Sequence, residues 1–357
     1  MKIRRPTAAF TLVEVIVASG IVVVIMGVLL AMTDQTQRLI KSTSSKVEEF
    51  QDSRVGFESM TRRLAQATLN TFWDYQYVNG LPSRYQRSAE LRFRSGKMKD
   101  LNSDGGVEGN LQPSHGVFFQ APNGLVEDSK LGSLDHLINT WGYFLEVGSD
   151  KNSIPSFLDG KVDPRKRFRL MEFMQPSESL SVYNFQQTAS NKWFAPATTN
   201  TKRPVRVLAE NIVALIVLPR LSLADEEQWK KKSGKKTAPT LASSTYGYDS
   251  TVPGDNKADA ILNTKSQLPP VVQVIMVAID EPSARKLEDK YGSDSWLGIN
   301  YESYFNNPSA LQDSASGKAG DLTNFVEKIL IPRKVSYRIF STNVSIRGAK
   351  WSRAQTD

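Results

Sequence analysis

Cysteine is absent from the 357 residues, histidine occurs twice, and no proline falls between Thr7 and Tyr75. Without cysteine there are no disulfides and no thiolate metal sites, so an exported domain must rely on its own core. With His115 and His136 alone, a two-histidine metal motif would need both plus a carboxylate, and neither context matches such a motif. Charge is also scarce where it counts: between Arg5 and Asp34 the chain carries one charge, Glu14. Elsewhere 45 basic residues face 37 acidic ones, a formal net charge of +8 that is modest for this length and partly resides in the first five residues.

What is present at the amino terminus is a long apolar run, PTAAFTLVEVIVASGIVVVIMGVLLAMT. The nineteen residues Val15 to Thr33 are uncharged and rich in Val, Ile and Leu, enough to span a bilayer as a helix. Lys2, Arg4 and Arg5 precede the run and Asp34 follows it, so the positive-inside rule keeps the amino terminus cytoplasmic and exports everything after about residue 34. A secretory signal peptide would have a shorter apolar region and a small-x-small site after it, whereas LLAMTDQTQ offers no clean site. A plain signal anchor fits the hydropathy but leaves Glu14 unexplained. A carboxylate at that depth is costly and generally reports a function.

The leader RRPTAA followed by FTLVEVIVA resembles the prepilin-type cleavage and methylation signature of type IV pilins and type II secretion pseudopilins. The resemblance implies a peptidase cut between Ala9 and Phe10, methylation of the new Phe10 amine, and Glu14 as fifth mature residue. The family almost always has Gly before the cut, and this chain has Ala9. In such filaments the carboxylate partners the methylated amine of a neighbouring subunit, a buried pair that sets register more than it adds stability.

The helical pattern continues beyond the membrane face. Leu39, Ile40, Val47, Phe50, Phe57, Met60, Leu64 and Ala67 recur at spacings of three, four and seven, with charged residues between, which predicts one amphipathic helix to about Thr71. From Phe10 it would be about 90 Å long. The expected organisation is therefore a leader over 1–9, a transmembrane helix over 10–33, the exported part of the stem over 34–71, and a globular head over 72–357.

The fold class expected is α+β, with a mainly antiparallel sheet in the head. Candidate strands are Glu90–Arg94, Gly116–Gln120, Trp141–Val147, Phe168–Met174, Val205–Leu208, Ile212–Leu218, Val271–Ile279 and a terminal pair, Ser336–Phe340 and Asn343–Ile346. Two helices are expected: Glu281–Lys290 capped by Asp280, and Leu322–Leu330 capped by Asp321 or Thr323. The Lys-, Ser-, Thr- and Gly-rich stretch over about 223–267 reads as a mobile insertion. The order of elements resembles the larger, J-type minor pseudopilins, and the ending RIFSTNVSIRGAKW is similar to that of the Verru_Chthon cassette protein C group.

Chemical motifs are few. Asp100, Asn102, Asp104 and Glu108 place oxygens at alternate positions, with Gly105 sixth as in an EF-hand loop. Its twelfth position is Leu111, so the bidentate glutamate is missing and a polar turn is favoured over a metal loop. Calcium is the ion this set would take, and calcium sites occur in the heads of the resembled family. The basic run Trp229 to Lys236 reads as a solvated loop rather than a nucleic-acid site, and Gly234-Lys235-Lys236-Thr237 is not a P-loop, since Trp229 stands where its first glycine should be. Ser114-His115 and Asp135-His136 have no nucleophile elbow beside them.

These readings converge on a structural subunit rather than an enzyme. It would sit in the inner membrane as a single-pass protein with a periplasmic head, and an ATPase-driven assembly platform would move it into a filament. Its partners would be a prepilin peptidase, that platform and other pilin-like subunits. The rival is an exported binding module for polysaccharide or DNA carried on the same stem, and exposed aromatics clustered on the head would favour it.

Overall fold

The computed structural model describes residues 11–101, 112–131, 137–151, 154–158, 160–183, 191–197, 203–235, 239–254, 261–294, 296–301, 303–314 and 317–351. The chain divides into two compact units at the Glu49/Phe50 boundary. In the first, a proline-free run forms α1 (Leu12–Glu49), 38 residues or about 57 Å long.

The second unit opens with α2 (Gln51–Leu64). The single helix expected from the periodicity is thus two. Phe50, at φ −96° and ψ 0°, leaves the α region and is buried in the core of the second unit. α2 buries Ser53, Gly56, Phe57, Met60 and Leu64 on one face; full burial of Met60 and Leu64 stabilises it by about 1.5–3 kcal/mol each. It ends at Leu64 rather than Thr71, because Thr68 N donates to Gln120 O at 2.9 Å instead of continuing the helical ladder.

Two strands follow as a separate antiparallel hairpin, β1 (Thr71–Val78) and β2 (Leu81–Ala89). Next come β3 (Arg94–Lys97), a one-turn helix α3 (Met98–Leu101), β4 (His115–Pro122), β5 (Ile138–Ser149), β6 (Lys166–Gln175) and β7 (Val205–Glu210). After these run β8 (Ile212–Arg220), α4 (Leu223–Ser233), β9 (Tyr248–Asp249), β10 (Val271–Ile279), α5 (Glu281–Tyr291), α6 (Asp321–Phe325) and β11 (Tyr337–Ser345). A six-stranded sheet has the order β7-β6-β5-β4-β3-β9 and a three-stranded one the order β11-β10-β8, with every pairing antiparallel. The α+β class with antiparallel sheets is therefore present.

β8 (IVALIVLPR) and β10 (VVQVIMVAI) read as nearly continuous apolar runs because both faces of that sheet are covered. Leu215, Val217, Val274 and Met276 join α2 and the Val117, Phe119, Trp141, Tyr143 face of the large sheet in one cluster. Ile216, Ile275, Val277 and Ile279 face Leu287 of α5 and Phe325 of α6 in another. The opposite face of the large sheet packs Phe118, Phe144 and Phe173 against Trp193 and Phe194.

Four expectations need correction. Residues 90–93 are not a strand: their amides donate to side chains, Glu90 and Leu91 N to Asn70 Oδ1, Arg92 N to Gln120 Oε1 and Phe93 N to Ser250 Oγ. The terminal pair is one strand, since Ser341 and Thr342 continue the ladder opposite Ile275 and Val274. α6 is capped by Gly320; the Asp321 carboxylate accepts from Phe305 N at 3.0 Å, and Thr323 Oγ1 donates to Asp313 at 2.8 Å. The supposed mobile insertion is folded where described. Ser222 Oγ caps α4 by accepting from Asp225 N, Gly234 closes it at φ 69°, and Trp229, Leu241, Tyr246, Tyr248, Ile261 and Leu262 are buried. In contrast, α5 forms as expected, with Asp280 accepting from Ser283 N at 2.9 Å.

Candidate functional site

Every residue from Thr11 to Gln37 is exposed, including fifteen large apolar side chains from Leu12 to Met32. The stretch Leu12–Gln37 is long and apolar enough to cross a membrane, a property a signal sequence near the amino terminus also has. Its hydroxyl side chains are satisfied within the helix. Ser19 Oγ donates to Ile16 O at 2.9 Å, Thr33 Oγ1 to Leu29 O at 2.8 Å and Thr36 Oγ1 to Met32 O at 2.8 Å. Such back-bonding leaves no hydroxyl donor unpaired in an apolar surrounding.

The start of α1 is set by two residues. Glu14 N donates to Thr11 Oγ1 at 3.3 Å, while Thr11 N and Thr11 Oγ1 donate to Glu14 Oε2 at 3.2 and 3.1 Å. This reciprocal arrangement is a capping box, T-x-x-E, which satisfies two amides that an open helix end would leave unpaired. The carboxylate also lies in the first turn, where the helix dipole favours negative charge. Charge alone makes Glu14 conspicuous in the sequence, whereas the signal of this local role is Thr11, three residues before it. Ala9 and Phe10 lie outside the described residues.

The oxygen set of the calcium-like loop is only partly placed. Asp100 lies in α3, whereas Asn102, Asp104 and Glu108 lie outside the described residues. Among the described residues no three His, Asp or Glu side chains converge as a metal site. The basic run is likewise dissected: Trp229 is buried, and Lys230, Lys231 and Lys232 occupy the last turn of α4.

The carboxylates buried in β5 and β6, Glu146 and Glu172, are paired with arginines. Glu172, buried in β6, accepts from Tyr143 Oη at 2.9 Å and pairs with Arg63 and Arg206. Arg63 also stands 4.3 Å from the Trp141 ring centroid, which ties α2 to the large sheet. Burial would raise the Glu281 pKa, but hydrogen bonds from Asn211, Arg167 and Arg285 outweigh it and hold the group at about 2. His115 is pushed down to about 3, first by burial and then by the Lys97 charge. The Ser114 hydroxyl donates to Leu215 O and accepts from Leu215 N at 3.1 Å, so this Ser-His pair is committed to the β8 backbone. His136 lies outside the described residues.

One surface was not anticipated. Asn79 and Gly80, at φ 51° and 78°, close β1 and β2 through a type I′ turn. The register places Trp73, Tyr75 and Tyr77 on one face with Tyr85 opposite Tyr75 and Arg87 opposite Trp73. Trp73, Tyr77 and Tyr85 are each at least 61% exposed and Tyr75 44%. The signal was in the sequence: Asn-Gly flanked by alternating aromatics, TFWDYQYVNGLPSRYQRS.

No protein-family model matches this chain, and no curated protein and no solved structure matches it.

Proposed function

We propose that the chain is a membrane-anchored structural subunit of a pilin-like filament, related to type IV pilins and to the J-type minor pseudopilins of type II secretion, and not an enzyme. A prepilin peptidase would cut between Ala9 and Phe10 and methylate the Phe10 amine. The helix beginning at Leu12 would hold the subunit in the inner membrane with the second unit in the periplasm, until an assembly platform transfers it into the filament. The single observation that supports this reading is the fully exposed apolar helix that opens on Glu14. That much unburied apolar surface needs lipid or neighbouring helices to cover it, and a carboxylate at its start needs a cationic partner once there.

Mass spectrometry of the mature amino terminus tests the proposal. An N-methylated Phe10 is expected. An intact Met1, or a cut near residue 31, would overturn it.

A second reading is favoured by a different observation. An exported binding module on the same anchor is supported by the aromatics exposed on the hairpin of β1 and β2.

A further inference from the structure

We propose that the aromatic face of the β1–β2 hairpin is a stacking platform for a neutral, extended β-1,4-linked polysaccharide chain, an inference that rests on the binding-module reading.

The platform is built rather than incidental. Trp73, Tyr75 and Tyr77 alternate along one strand and so share a face. The Tyr75 and Tyr77 ring centroids are 6.3 Å apart, and those of Tyr75 and Tyr85 4.6 Å apart. The Tyr75 and Tyr85 hydroxyls are hydrogen-bonded at 2.6 Å, which locks the central pair. At the base, Arg87 stands 5.8 Å from the Trp73 ring centroid and donates to Gln267 Oε1 and Lys350 O, both at 3.1 Å, which anchors this face to the rest of the unit. The register shifts by one residue between Gln76 and Tyr77, yet Tyr77 keeps its contact with Tyr75; large exposed aromatics in contact with one another mark an interaction site rather than scattered surface residues.

Charge chooses the partner. A single-stranded nucleic acid would stack on such rings too, but it needs cations along its phosphates. The hairpin carries two arginines and one aspartate. Arg87 is committed as above, and Arg84, on the other face opposite Gln76, donates to Gln76 Oε1 at 2.6 Å. What this face offers is apolar ring surface bordered by phenol hydroxyls. A pyranose presents the matching surface, a flat face of C–H groups rimmed by hydroxyls. A β-1,4 linkage keeps successive rings in a straight ribbon, as the rungs of a strand require, whereas a helical α-linked chain would curve away.

The test uses the full chain in lipid nanodiscs, free of detergent that could cover the rings, titrated calorimetrically with cellohexaose, chitohexaose and the oligonucleotide (dT)20. Binding of at least one hexasaccharide is expected, changed less than about twofold between about 50 and about 500 mM salt, because no counterions are released. Trp73→Ala and Tyr77→Ala should each weaken it about tenfold, and Tyr77→Phe, which keeps the ring, should stay within about twofold. Both alanine variants replace exposed side chains, and circular dichroism confirms their folding. Saccharide binding that survives Trp73→Ala and Tyr77→Ala overturns the platform and leaves the binding-module reading standing. Binding of (dT)20 alone, steeply salt-dependent, also overturns the platform but not that reading. Retention of none of the three ligands overturns both.

Discussion

Phe118 of β4 occupies the space above Gly142 of β5: a Cβ at Gly142 would lie 2.3 Å from Phe118 Cδ1 and 3.2 Å from Phe173 Cδ1. The register puts the three residues side by side across β4, β5 and β6, so a glycine lets two aromatic rings close over the middle strand. The Phe118 ring cannot withdraw easily, because it stacks on Phe194 at 4.1 Å and meets Phe173 edge-on at 6.2 Å. Gly142→Ala should therefore destabilise the second unit by about 1–3 kcal/mol through overpacking. A lower denaturant midpoint with unchanged slope is the expected reading; a wild-type midpoint would show that the rings yield.

Trp229 gives a second stability test. Its composition-based setting is a lysine-rich loop, yet the ring is 6% exposed and belongs to the cluster shared with α2 and both sheets. Trp229→Ala should cost about 3–5 kcal/mol and speed tryptic cleavage at Lys230, Lys231 and Lys232. Unchanged stability and proteolysis would return the segment to a loose surface loop.

The contrast between α5 and α4 shows what was legible in the sequence. α5 announces itself with Asp280 and Pro282 at its start, and β8 and β10 with unbroken apolar runs. α4 has a Ser222 cap and a Gly234 stop as well, but the lysines between them outweighed those signals, and the burial of Trp229 depends on strands remote in sequence. The break at Phe50 and the ending of α2 at Leu64 are tertiary in origin too, since a core cluster and the Gln120 carbonyl draw the chain out of the helix. At the candidate sites, Glu14 was conspicuous by charge alone. The hairpin is equally readable from Asn79-Gly80 and the aromatic alternation beside it.

His115 makes stability depend on pH in a defined window. It is 1% exposed, its Nδ1 accepts from Val217 N at 3.2 Å, and burial with the Lys97 charge lowers its pKa from 6.5 to about 3. The unfolded chain takes up a proton below pH 6.5 while the folded one does not, so stability is fully present above that value and is lost as pH falls toward about 3. Glu281, lowered from 4.5 to about 2, adds its own loss only below pH 4.5. Between pH 6.5 and 4.5 the His115 slope approaches about 1.4 kcal/mol per pH unit. His115→Asn, which retains an acceptor for Val217 N, should flatten that interval in denaturant titrations. An unaltered slope would place the proton uptake elsewhere.

In the structure Glu14 caps its own helix; under the proposed function it would also pair with a neighbouring subunit, and a single substitution can separate the two. The capping box needs a side-chain oxygen that accepts from Thr11 N, and glutamine supplies one as well as glutamate does. Pairing with the amine of a neighbouring subunit needs the negative charge, and glutamine lacks it. Glu14→Gln should therefore keep membrane insertion and cleavage before Phe10, both followed by mass spectrometry and fractionation, while filament incorporation, measured by cross-linking to other subunits, falls as far as in Glu14→Ala. If Glu14→Gln assembles like the wild type and Glu14→Ala does not, the carboxylate serves the first turn of its own helix and the intersubunit pair is wrong. If both variants assemble normally, neither role limits assembly. The alanine variant also loses the cap, which costs about 0.5–2 kcal/mol at the helix start. That loss is small beside an unpaired charge in hydrocarbon, so a defect shared equally by the two variants points to the charge.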